Sequence, residues 1–150
     1  MADKTLRPFF PYTCELNEPE NTNVIPMRIT VNIKEQRVKD LLTSALEGGS
    51  NYWYMIRKNN YPKGQTKESL GIKFAHVDLP FVEGGSLTIV DAEDEDSAEW
   101  TLDYKAILRG LHVMARKYPA DFNNWREEND DAFTGDTFLQ CCLFGSVIYG

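Results

Sequence analysis

The sequence predicts an α+β fold: a single domain in which an antiparallel sheet is packed by about three helices, preceded by an extended N-terminal arm. Three observations predict it. The chain has 150 residues, 42% of them hydrophobic, enough for one domain with a real core. Met27, Ile29, Val31 and Ile33 alternate with Arg28, Thr30 and Asn32, the period of a half-buried strand. Segments 35–47 and 104–118 repeat apolar residues every three or four positions, the period of a helix with one buried stripe.

Residues 1–26 read as the arm and 27–150 as the domain. Pro8, Pro11, Pro19 and Pro26 forbid helix, and 17–23 is polar. Phe9, Phe10 and Tyr12 are suited to docking the arm on the body or on a neighbouring subunit. The first helix follows the strand at 35–47, with Val38, Leu41, Leu42, Ala45 and Leu46 as its stripe and Gly48 as its stop. Lys58 to Gly64 reads as a loop. Ile72–Val82 and Ser86–Val90 read as two strands joined by a Gly84-Gly85 hairpin turn. Asp91–Asp96 is an acidic turn, and Ala98–Leu102 a short strand carrying Trp100.

Asp103 is placed to cap the second helix, which Pro119 ends. Tyr104, Ile107, Leu108, Leu111, Met114 and Tyr118 form its stripe. Ala120–Asn129 is a short helical turn with Phe122 and Trp125. Thr134 is expected to cap a third helix that runs to about Gly145 and is apolar nearly all round. Val147-Ile148-Tyr149 is expected to form a last strand. Glu-Gly-Gly-Ser occurs at 47–50 and again at 83–86, but the flanks differ, so it reads as turn chemistry and not as a repeat.

Composition narrows the function. The net charge is −7, which removes the usual electrostatic drive for extended nucleic acid or a membrane surface. Three cysteines, Cys14, Cys141 and Cys142, are too few and too adjacent for a disulfide framework and fit a reducing cytosol. The histidines, His76 and His112, are not at ligand spacing from the cysteine pair, so neither metal nor cofactor is expected. The N-terminus lacks the apolar core of a secretory signal, and no apolar run approaches a membrane span. No Walker loop, dinucleotide glycine motif or Gly-x-Ser-x-Gly elbow is present, and the expectation is a protein that is not an enzyme.

Two groups of residues invite a binding reading. Asn51, Tyr52, Trp53, Tyr54 and Arg57 follow a helix stop. Three adjacent aromatics cannot all face one way on a regular element, so one should leave the main core. Asn51, Tyr52 or Tyr54, and Arg57 would suit a base and a phosphate. The plainer reading makes Trp53 core and Arg57 a solvated charge. Arg109, His112 and Arg116 share a helix face, a basic stripe in an acidic chain, and Arg28 would join them if its strand adjoins that helix. The plainer reading pairs them with nearby acids. The acidic run 91–96 fails the twelve-residue calcium pattern: position six is Asp96 and position twelve Leu102. Segment 127–136 reads as helix-capping chemistry.

The stretches Asp40-Leu41-Leu42, Ala45-Leu46-Glu47-Gly48-Gly49-Ser50-Asn51-Tyr52-Trp53, Glu128-Asn129-Asp130-Asp131-Ala132, Thr134-Gly135-Asp136, Phe138-Leu139-Gln140, Leu143-Phe144-Gly145 and Tyr149-Gly150 resemble a family of small phage proteins, the anti-Thoeris sponges. The resemblance covers roughly 29–57 and 128–150. It implies a protein that binds a cyclic ADP-ribose signal made by a host TIR enzyme and holds it uncleaved, inhibiting antiviral defence. It also implies homo-oligomers with pockets between subunits, cyclic oligonucleotides as ligands of some members, and the host cytoplasm as the place of action. Three alternatives stay open, the plainest being a structural or assembly protein that holds no ligand. An acidic decoy for a host nuclease or CRISPR effector would use the charge and the acidic runs. A hydrolase of nucleotide signals would alter its ligand.

Overall fold

The computed structural model describes residues 9–15 and 23–150 apart from Ser97, with 9–15 described in backbone only. Strand β1 (Phe9–Glu15) pairs antiparallel with β2 (Arg28–Lys34), with Glu15 opposite Arg28 and Phe9 opposite Lys34. The rest of the arm, and the docking of Phe9, Phe10 and Tyr12, lie outside the described residues and side chains. On β2, Ile33 is buried, Val31 half-buried and Ile29 exposed. The apolar face therefore meets the core at one end only.

Helix α1 (Glu35–Ser44) buries Val38, Leu41 and Leu42, then widens into a π-turn (Ala45–Gly49) that buries Ala45 and Leu46. The widening has a packing cause: a Cβ on Gly49 would stand 1.9 Å from the Ala132 carbonyl. Only glycine admits that approach.

Among the described residues, a second sheet orders β3 (Tyr54–Asn60), β4 (Ser86–Asp91) and β5 (Trp100–Leu102), antiparallel throughout. The loop expected from Lys58 is thus corrected, since β3 runs on to Asn60. The aromatic-rich turn supplies a strand because Met55 and Ile56 find the apolar Val90 and Ile89 opposite them. The strand expected at 72–82 is also overturned. Helix α2 (Lys67–Leu70) precedes α3 (Ala75–Asp78) and a 3-10 turn (Leu79–Phe81). Pro80 has no N–H for a ladder. Asp78 accepts from the Lys73 and Phe74 N–H groups at 3.2 and 3.0 Å, which winds the segment, and Val77, Leu79 and Phe81 bury together.

Helix α4 (Tyr104–Lys117) starts where expected: the Asp103 carboxylate accepts from the Ala106 N–H at 2.9 Å. Pro119 ends it and opens α5 (Pro119–Arg126) at the first helical position, where its missing donor costs nothing. Helix α6 (Ala132–Phe144) is capped by Asp131, not by Thr134. Thr134 sits three residues in and completes a reciprocal capping box. The α6 sequence is deeply buried, as its composition predicts, against α1 and α4. Three long helices, α1, α4 and α6, thus pack the domain, with α5 and two single turns beside them. The expected final strand does not form; the Gln140 side chain takes its place, accepting from the Ile148 and Tyr149 N–H groups at 2.8 Å. No helix among the described residues is long and apolar enough to cross a membrane.

Candidate functional site

Two stretches far apart in sequence, 50–53 and 136–149, meet on one carboxylate. Asp136 is 7% exposed. Its Oδ1 accepts from the Ser50 hydroxyl and the Trp53 indole N–H, both at 2.7 Å; its Oδ2 accepts from the Tyr52 hydroxyl at 2.7 Å and the Gln140 amide at 3.0 Å. A carboxylate offers about four lone-pair directions, and these donors fill them. Burial of such a group is tolerable only because it is so fully bonded. Its acceptors are spent on holding the aromatic turn to α6.

The three adjacent aromatics are used in three ways. Trp53 is core, stacked on Tyr149 with centroids 4.8 Å apart and rings 8° from parallel. Tyr54 is half-buried and donates to the Leu46 carbonyl. Tyr52 is 53% exposed and is the one that leaves the core, though Asp136 holds its hydroxyl. Burial, then the Asp136 hydrogen bond and charge, push the Tyr52 pKa up to about 12. Burial first, then the Glu47 charge, does the same to Tyr54. Tyr149 also rises to about 12, chiefly because its hydroxyl donates to Asp91 at 2.5 Å.

Arg57 falls in the register shift between Ile56 and Lys58. A bulge re-aims its side chain, which here donates to Glu99 at 2.5 Å and to the Glu95 carbonyl. Glu99 opens a cleft of about 350 Å³ on the outer side of β5, lined further by Trp100, Thr101, Asp103, Lys105, Ala106, Arg109 and Leu143. Of the cations singled out from sequence, Arg109 lines this cleft, while Arg57 does not and reaches it only through its bond to Glu99. Asp103 is spent on capping α4 and Glu99 on Arg57, while Lys105 makes no ion pair among the described residues. Arg109 donates one N–H to the Cys142 carbonyl and keeps the others. The lining thus carries two acids and two cations, of which Lys105 and the remaining N–H groups of Arg109 are not used in an ion pair among the described residues, beside a half-buried indole.

The remaining candidates lie elsewhere. Asn51 is exposed on the turn, and His112 and Arg116 lie on α4 outside this cleft; Arg28 is on β2. Sequence reasoning missed Asp136, Gln140, Trp100 and Lys105 as placed here. Asp136 and Gln140 did leave a signal: two polar residues four apart inside an otherwise apolar helix. Trp100 left a weaker one, an aromatic on a strand of three residues.

Burial pushes the Cys141 thiol up to about 12, and burial with the neighbouring Cys141 holds Cys142 well above its ordinary range, which disfavours the thiolate at both. Among the described residues no group of three His, Cys, Asp or Glu side chains is arranged to hold a metal ion. No protein family, curated protein or solved structure matches this chain.

Proposed function

We propose that this chain is a phage-encoded sponge that captures a nucleotide immune signal, a cyclic ADP-ribose isomer or a cyclic oligonucleotide, and holds it without cleaving it. The observation that carries the reading is the β5 cleft. There Lys105 and Arg109 line a small hollow beside Trp100, and Arg57 holds Glu99 of its lining. An aromatic face and uncommitted cations suit a base and its phosphates. Its volume of about 350 Å³ falls at the lower end of small-molecule sites. A ligand larger than the hollow would need walls from a second copy. The exposed apolar residues that run past the core, Ile29 on β2 and Met27 just before it, support self-association.

Capture alone inhibits a signal if release is slow, and nanomolar affinity requires about −12 kcal/mol. The test is to incubate the purified protein with extract containing a TIR-derived signal, wash, boil, and weigh the released molecules by mass spectrometry. The expected result is an intact nucleotide, retained by wild type and by Arg116→Gln but not by Arg109→Gln. A released molecule of altered mass would make the protein a hydrolase. No nucleotide from extract shown to contain the signal would discard the sponge, and a host protein retained in its place would establish the acidic decoy. Sedimentation velocity on Met27→Glu against wild type checks the oligomer: a shift toward a slower species is expected, and a wild-type monomer would remove it.

A further inference from the structure

Trp125, on α5, is 1% exposed, yet its indole N–H has no hydrogen-bond partner. Among the described residues it is the one buried side-chain polar atom left unsatisfied. An orphaned buried donor is costly, so a well-packed fold leaves few. This one belongs to a residue that lines a cleft of about 360 Å³, between the inner end of β2 and the end of α5.

The same cleft gathers positive charge in a chain whose net charge is −7. Lys34, Arg37 and Arg126 line it, with Glu128 opposite. Lys34 and Arg126 make no ion pair among the described residues. Arg37 donates to the Trp125 carbonyl, and its guanidinium lies 5.7 Å over the Trp125 ring and 3.9 Å from Asp130, a long ion pair that leaves its other N–H groups open to an anion. Glu128 stands at φ 61°, the one non-glycine residue in the left-handed region among those described. Glu128 lines the cleft and makes no ion pair among the described residues.

We propose that this cleft binds a phosphoryl group of a small molecule, held by Lys34 and Arg126. Arg37 keeps its bond to the Trp125 carbonyl and turns its other N–H groups from the indole ring onto the anion, and an acceptor atom of the ligand then meets the Trp125 N–H. Charge-assisted bonds to phosphate are about twice as strong as neutral ones, which offsets the loss of the cation over the ring. Glu128 suits a ligand that carries an ammonium or hydroxyl beside its phosphate. The hollow is too small for an extended macromolecular strand. The proposal does not rest on the nucleotide reading, because this cleft shares no lining residue with that at β5.

The test is NMR of the indole N–H signals of the intact chain, titrated with inorganic phosphate at constant ionic strength made up with chloride. Trp125→Phe assigns the signal by removing it. The expected result is a saturable shift of the Trp125 signal. Lys34→Gln and Arg126→Gln, both exposed and so harmless to the fold, should each weaken binding about tenfold. Arg116→Gln should leave it unchanged. A linear drift without saturation, or equal weakening in Arg116→Gln, would overturn the site as general surface electrostatics. Phosphoserine in competition separates the sources: tighter binding than phosphate identifies a phosphorylated small molecule, and equal binding identifies free phosphate.

Discussion

Asp136 decides the local structure of the aromatic turn. It receives donors from Ser50, Tyr52, Trp53 and Gln140, and Gln140 passes the connection to the backbone of the C-terminal tail. Replacing it by alanine leaves buried hydroxyl, indole and amide donors without acceptors. Asp136→Ala should therefore lose about 3–5 kcal/mol, as for breaking other buried charged networks. Asp136→Asn should lose less but still about 1–3 kcal/mol, because an amide nitrogen would face donors where an oxygen stood. Urea denaturation followed by tryptophan fluorescence checks both, and a change within about 0.5 kcal/mol for Asp136→Ala would show the network to be weak. The capture of Tyr52 could not be read from sequence. The rule that one of three adjacent aromatics leaves the core was legible, but which one, and that a carboxylate 84 residues away would hold it, depended on contacts.

At the scale of elements, α4 and α6 illustrate how close approach sets specificity. A Cβ on Gly110 would lie 2.1 Å from Cys142 Sγ and 2.9 Å from its backbone. In an exposed helix interior, glycine to alanine gains about 1 kcal/mol. Here the sign reverses: Gly110→Ala should destabilise by about 1–3 kcal/mol as the helices are forced apart. Thermal melts of the variant against wild type measure this, and a higher Tm would show the helices free to separate. The helix α4 itself was legible, since its apolar stripe, Asp103 cap and Pro119 stop agree. The segment 72–82 was not. Its alternating apolar residues imitate a strand, but Pro80 and the Asp78 carboxylate wind it, and its residues bury as a compact turn. Likewise β3 was hidden because its apolar run is short and ends in Lys58, Asn59 and Asn60; pairing with β4 makes it a strand.

Across the whole molecule, three phenols are bound into one knot. Tyr52, Tyr54 and Tyr149 all have pKa values raised from 10.0 to about 12. A raised folded pKa means the native state holds the proton more tightly than the unfolded chain does. The stabilisation is complete below about 10 and is lost as pH rises through about 12. The urea midpoint should thus fall between those limits, and Tyr149→Phe should flatten the fall. A midpoint constant through that range would contradict the raised values.

The sequence by itself determined the α+β class, the stripes of α1 and α4, the buried character of α6 and the net charge of −7, because period, capping residues and charge act locally or as sums. The tertiary structure alone decided that Asp136 would tie the aromatic turn to α6. It alone tied Arg57 to Glu99 of the cleft that Arg109 lines, and it alone left the Trp125 N–H unpartnered in a residue that lines a cleft with cations. Those outcomes depend on which distant side chains become neighbours, and no periodicity along the chain encodes a distance across it.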